Sequence, residues 1–153
     1  MKNILKLFWI LLFVILTNKS FAVECKSECQ LEQVKLYFAA LDKVARKGST
    51  SNDIDALLEL THENVKYIHV EYEANFDKKT WRKAFLRNLE LGRYQNTEEN
   101  EKRILRSISG KNYLAVEYSR GIVQSDGSWS GSEPLLALFG FTDGKISLIK
   151  ELW

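Results

Sequence analysis

The period of the apolar positions changes along the chain, and each change marks an element. Leu31, Val34, Phe38, Leu41 and Ala45 recur at three- and four-residue steps, the spacing of a helix with one buried face. Lys43, Arg46 and Lys47 suit its last turn and Gly48 its stop. Residues 49–53, "STSND", form a loop and N-cap cluster before a short helix in "DIDALLELT", where Ile54, Leu57 and Leu58 are apolar. From Val65 to Tyr72 β-branched and aromatic residues dominate, which predicts a strand. Asp77 is placed to cap a third helix with Trp81, Ala84, Phe85 and Leu89 as its buried stripe and Gly92 as its end. After the polar stretch "RYQNTEENEK" only strands are legible: "RILRSIS", "NYLAVEYSRGIV", "PLLALFGF" and "KISLIKELW". Asp143–Gly144 between the last two is the strongest hairpin signal in the chain. Helix, helix, strand, helix and a four-strand meander predict an α+β fold, with the helices on one side of a curved antiparallel sheet.

Strict alternation through the last hairpin predicts its faces. Leu135, Ala137, Phe139, Phe141, Ile146, Leu148, Lys150 and Leu152 fall on one side. Leu136, Leu138, Gly140, Ser147, Ile149, Glu151 and Trp153 fall on the other. Both sets are largely apolar. One side then meets the helices, and the other needs a second partner, most simply another copy of the chain.

The first 22 residues stand apart. Lys2 and Lys6 precede the apolar run "LFWILLFVIL", and "SFA" at 20–22 offers small residues for cleavage after Ala22. This is the pattern of a secretory signal peptide. The run is shorter than the roughly 20 residues a membrane span needs. Export predicts a periplasmic or secreted protein of residues 23–153, with no membrane attachment after cleavage. Removing Lys2, Lys6 and Lys19 leaves 19 basic residues against 20 acidic, so the basic balance of the full chain belongs to the leader. No excess positive field remains for nucleic acid. Cys25 and Cys29 are the only cysteines, and in an exported chain they are candidates for a disulfide. A redox or metal pair is the other reading.

The order of elements, "YFAALDKVARKGSTSNDIDALLELTHENVKYIH", "FDKKTWRKAFLRNL" and "DGKISLIKELW" together resemble the nuclear-transport-factor-2-like superfamily, in its SnoaL-like and steroid-isomerase-like branch. The resemblance covers nearly all of residues 23–153. It implies a cone-shaped curved sheet with three helices packed on its concave face, a pocket inside the cone, and a homodimer through the outer sheet face. In the steroid isomerases a tyrosine, a buried acid, a catalytic carboxylate and an aromatic wall form the site. By resemblance Tyr37 stands for the tyrosine, His69 for the base, Leu136 for the buried acid and Trp153 for the wall. The missing acid argues against the steroid-isomerase reaction but not against a pocket.

The candidate chemistry is therefore limited. His69 suits general-base work near neutral pH, with Tyr37 as a donor and Glu151 as a second proton carrier if it is buried. Tyr67, Leu136, Leu138, Ile149 and Trp153 are the expected pocket lining. Two distant histidines give no metal pattern, and no phosphate loop or nucleophile motif suggests a cofactor. The expected function is binding of a small, mostly apolar molecule in the cone. The alternatives are a cofactor-independent isomerase, dehydratase or cyclase using the His–Tyr pair, and a homodimeric or accessory interaction module.

Overall fold

The computed structural model describes residues 25–153; the leader at 1–22 lies outside them. The elements are α1 (Ser27–Ala45), α2 (Ser51–Glu59), β1 (Thr61–His69), β2 (Ala74–Asp77), α3 (Lys78–Glu90), β3 (Asn100–Ser109), β4 (Tyr113–Val123), β5 (Trp129–Gly131), β6 (Leu135–Thr142) and β7 (Lys145–Glu151). The strand order is β2-β1-β7-β6-β4-β3, with β5 paired to the end of β4. All pairings are antiparallel except β1 with β7, which is parallel and makes the sheet mixed. The parallel pair arises because β1 precedes the third helix and the meander, and returns beside the last strand.

The helices begin where the sequence supplies caps. Asp77 accepts a hydrogen bond from the Thr80 N–H at 2.8 Å, satisfying one donor of the first turn of α3. Asp53 reaches back to the Thr50 N–H at 2.8 Å at the start of α2, half of a capping box. Asp143 and Gly144 adopt φ of 50° and 75°, as a two-residue hairpin turn of this composition requires. The Cys25–Cys29 disulfide is present, with Cα atoms 5.3 Å apart. Buried Gln30 donates from its amide to Cys25 O and to Lys111 O, so the disulfide loop is tied to the β3–β4 turn.

The core lies between the helices and one sheet face. Val34, Tyr37 and Phe38 of α1, Ile54 and Leu57 of α2, and Trp81 of α3 meet Leu114, Val116 and Tyr118 of β4, Phe139 of β6, and Ile146 and Ile149 of β7. Asp42 on α1 and Lys102 on β3 form a buried ion pair, and Asp42 also accepts the Lys102 N–H at 3.0 Å. That carboxylate fastens the long helix to the far strand.

The last hairpin departs from strict alternation. Thr142 pairs with Lys145 and Phe141 with Ile146, but then Gly140 pairs with Leu148 and Phe139 with Ile149. Ser147 is the extra residue of a β-bulge, and it reverses the facing of everything after it. The inner face is thus Ala137, Phe139 and Phe141 with Ile146, Ile149 and Glu151, all buried. Leu136, expected to line the pocket, is exposed at 45%, and Leu138 and Leu148 share its outer face. The short strands β2 and β5 were also not legible. Within residues 124–133 Trp129 lies over Gly121 and Gly131. A Cβ on either glycine would sit within 2.5 Å of its ring. The Arg103 guanidinium carbon lies over the same indole at 5.0 Å, so Trp129 covers the sheet edge.

A candidate aromatic cleft around Glu151

Parallel pairing of β1 with β7 sets His69 beside Glu151. The antiparallel pair on the other side sets Ala137 beside Glu151. Alanine leaves room there, and Tyr118, one strand further on, reaches the carboxylate. Glu151 is buried and accepts two phenol hydrogen bonds. Tyr67 donates to Oε2 at 2.6 Å and Tyr118 to Oε1 at 3.2 Å. Trp153 Nε1 in turn donates to the Tyr118 oxygen at 3.0 Å. A carboxylate in an apolar surround is costly unless its oxygens are met, and here both are.

His69 is equally buried. Its Nδ1 accepts the Tyr72 N–H at 3.4 Å. Its Nε2 stands 3.6 Å from Glu151 Oε2, too far for a hydrogen bond, and is a buried polar atom without a partner among the described residues. Tyr72 stacks on the imidazole at 4.2 Å, and Trp153 meets it edge-on at 4.3 Å.

These groups line a cleft of about 460 Å³ between α1, α3 and the inner sheet face. Eight of its fourteen lining residues are Phe, Tyr or Trp, and its only formal charges are Glu151 and Arg120. Tyr67 stacks between Phe76 and Trp81, at 6.2 and 4.7 Å with interplanar angles of 10° and 17°. Arg120, at the mouth, lies over the Trp153 ring at 4.2 Å. A larger groove of about 520 Å³ opens between the Asp42–Lys102 pair and the β4–β5 end. Its buried charges already satisfy each other, so the aromatic cleft is the better candidate.

The structure brings His69, Tyr37, Glu151, Tyr67 and Trp153 to one cleft. It leaves out Leu136 and Leu138, which lie on the outer face, and Ile149, which is sealed in the core. A buried acid is present after all, on β7 and not at Leu136. Trp153 is half-buried, a wall and not a core residue. Tyr118 was not legible as a site residue. In β4 both alternating sets are part-apolar, so the inner face is undecided until the pairing is known. Arg120 shares its face and escaped for the same reason.

Burial and the nearby Glu151 charge disfavour the phenolate of three tyrosines. The Tyr37 and Tyr67 phenols are pushed well up by burial first and the Glu151 charge second. Tyr118 is pushed up to about 12 by the same causes. A folded-state pKa above the unfolded one contributes stability that is whole below the unfolded value of about 10 and is lost as pH rises through the folded value. Alkaline titration followed at 295 nm is therefore expected to leave these three phenols silent at pH 10–11 and then ionise them together with loss of the near-ultraviolet dichroism. Ionisation of all six tyrosines near pH 10 with the fold intact would contradict the burial of this cluster.

No protein-family model matches the chain, and no curated protein matches it. Solved structures do. A hypothetical protein with a ketosteroid isomerase-like fold from Catenulispora acidiphila, in complex with trimethylamine, is 15% identical over 80% of this chain and 85% of its own, with a TM-score of 0.53. TerC co-crystallised with polyporic acid is 14% identical over 82% and 91%, at 0.55. A nuclear-transport-factor-2-like protein of unknown function from Burkholderia pseudomallei is 12% identical over 82% and 90%, at 0.55. The fold is the nuclear-transport-factor-2-like, ketosteroid-isomerase-like cone that the residue pattern resembles.

Proposed function

We propose that this protein binds a small, mostly apolar molecule in the cleft walled by Trp153. The carrying observation is the cleft itself: aromatic walls around a buried, hydrogen-bonded carboxylate and a buried imidazole with a free nitrogen. A core has no need of such a group, and ligand sites are commonly apolar hollows with a few convergent polar atoms. Two proteins of the same fold have small molecules in their crystals, trimethylamine and polyporic acid, which supports ligand binding without naming this ligand.

A second reading rests on one further distance. His69 Nε2 and Glu151 Oε2 are 3.6 Å apart in a shared cleft with Tyr37 and Tyr67. A ligand that drew them together would sit beside an acid–base pair of the kind used for cofactor-independent isomerisation, dehydration or cyclisation.

Two companion proposals complete the reading. The chain is exported with cleavage after Ala22, supported by the leader pattern and by the Cys25–Cys29 disulfide, which suits an oxidising compartment. The outer sheet face pairs with a second copy, supported by the exposed Ile108, Tyr113, Leu136 and Leu152.

Native mass spectrometry of the protein purified from its own host reads all three. The expected result is a dimer of chains beginning at Val23, each carrying a non-covalent small molecule that is lost in the Trp153→Ala variant. A ligand-free species that also fails to take up any aromatic fragment would sink the binding reading. A chain starting at Met1 would remove export, and a monomer at micromolar concentration would remove the dimer.

A further inference from the structure

The cleft's unused hydrogen-bonding capacity narrows the ligand class, given the binding reading above. Glu151 is its only carboxylate, and both oxygens already accept phenol hydrogens. His69 Nδ1 accepts the Tyr72 N–H, so the proton sits on Nε2, the nitrogen left without a partner in a side chain only 3% exposed. Arg120 makes no salt bridge among the described residues, and its guanidinium carbon lies over the Trp153 ring. Each Glu151 oxygen is thus already tied to a phenol, and the groups of the site with no partner of their own are donors: one buried N–H and one charged fork. Trp153 touches both, with the Arg120 guanidinium carbon 4.2 Å and the His69 ring 4.3 Å from its indole.

The walls define the body of the ligand. Phe76, Tyr67 and Trp81 are near-parallel, and a flat ring extends such a stack better than a branched or saturated molecule does. A guanidinium fork matches a carboxylate in plane and charge. A neutral ligand would leave that fork unused, and an ammonium group would meet Arg120 as a like charge and leave His69 Nε2–H unmet.

We propose that the cleft selects a planar aromatic acid, with its ring against the Tyr67–Trp81 wall and its carboxylate between Arg120 and His69 Nε2–H. Glu151 stays in place through Tyr67 and Tyr118 and does not contact the ligand's charge directly.

Three probes of one shape test this: 2-naphthoate, 2-naphthamide and 2-naphthylmethylammonium, titrated by calorimetry at constant ionic strength. The acid is expected to bind about tenfold or more tighter than the amide, the size of a charge-assisted fork, and the ammonium weakest. Arg120→Gln should erase the preference for acid over amide, and Arg120→Lys should recover only part of it. Arg120 is exposed, so these variants should fold. On adding 2-naphthoate the His69 Nε2–H proton resonance should move downfield and exchange more slowly. Equal affinity for acid and amide would overturn the acid class while leaving the binding cleft standing, and so would an ammonium that binds best. An unmoved His69 resonance would remove the histidine contact. No heat with any probe at millimolar concentration would count against both the acid class and the cleft.

Discussion

Phe139→Ala is expected to cost about 3–5 kcal/mol, the range for deleting a fully buried aromatic ring. Phe139 has no exposed surface. Its ring meets Tyr37 at 5.7 Å and Phe38 at 5.8 Å, both edge-on, and its backbone sits between Leu114 and Ile149. It is the point where the long helix, the middle of the sheet and the last strand touch. Natural domains hold only about 5–15 kcal/mol in total, so this one truncation takes a large share. Urea melts should show the midpoint falling with little change in slope. Leu136→Ala, three positions earlier, is the control, expected to cost under about 1 kcal/mol because its side chain is on the outer face. A dimer through that face would make the Leu136 effect depend on protein concentration, whereas the Phe139 effect would not. Equal costs in the monomer would mean that the inner face has been assigned wrongly.

Glu151→Ala is the second large effect. The variant removes the acceptor of two phenol hydrogen bonds and a carboxylate oxygen 3.6 Å from His69 Nε2. Two phenol donors would then point into a void. Each unmet buried donor costs about 1–3 kcal/mol, offset by relief of the desolvated carboxylate, so a net loss of about 3 kcal/mol is expected. The unfolding midpoint should fall by about 10 °C. Glu151→Gln keeps the volume and one carbonyl acceptor, and should lose roughly half as much. Its amide N–H₂ faces the Tyr67 or Tyr118 hydroxyl, which must turn around to accept. If instead Glu151→Ala melts at or above the parent temperature, the carboxylate is a liability retained for the cleft's work, and the phenol network does not hold the fold. Ligand uptake by the variant separates the cases, because a purely structural glutamate would leave binding intact at temperatures where the variant is folded.

Much of this arrangement was legible in the residues, and the exceptions have physical causes. The three helices show because their stripes run for several turns and their ends carry caps: Asp77, Thr50 with Asp53, Gly48 and Gly92. The last turn shows because Asp-Gly suits the backbone angles of a two-residue hairpin. Strands β2 and β5, of four and three residues, are too short for alternation to declare itself. The turn before β2 depends on Glu73 at φ 50°, a residue type that carries no such signal. His69, Tyr37, Glu151, Tyr67 and Trp153 were named from chemistry and resemblance. Tyr118 was not, since its selection depends on which face of β4 turns inward, and that depends on pairing with distant strands. The parallel neighbour relation between His69 and Glu151 likewise joins residues 82 positions apart, which no local pattern encodes.

The extra residue at Ser147 has a wider reach than its size suggests. Counting from the turn at Asp143–Gly144, uninterrupted alternation would send Ile149, Glu151 and Trp153 to the side that carries Leu136 and Leu138. The cleft would then lose its acid and its wall with no change in residue type. What locates this site is arithmetic: an odd number inserted between the hairpin tip and the carboxylate. Among chains of this fold, gain or loss of one position before the final strand segment would therefore separate those that keep an acid in the cone from those that turn it to the outside. A position-by-position comparison of side chains would miss the difference entirely.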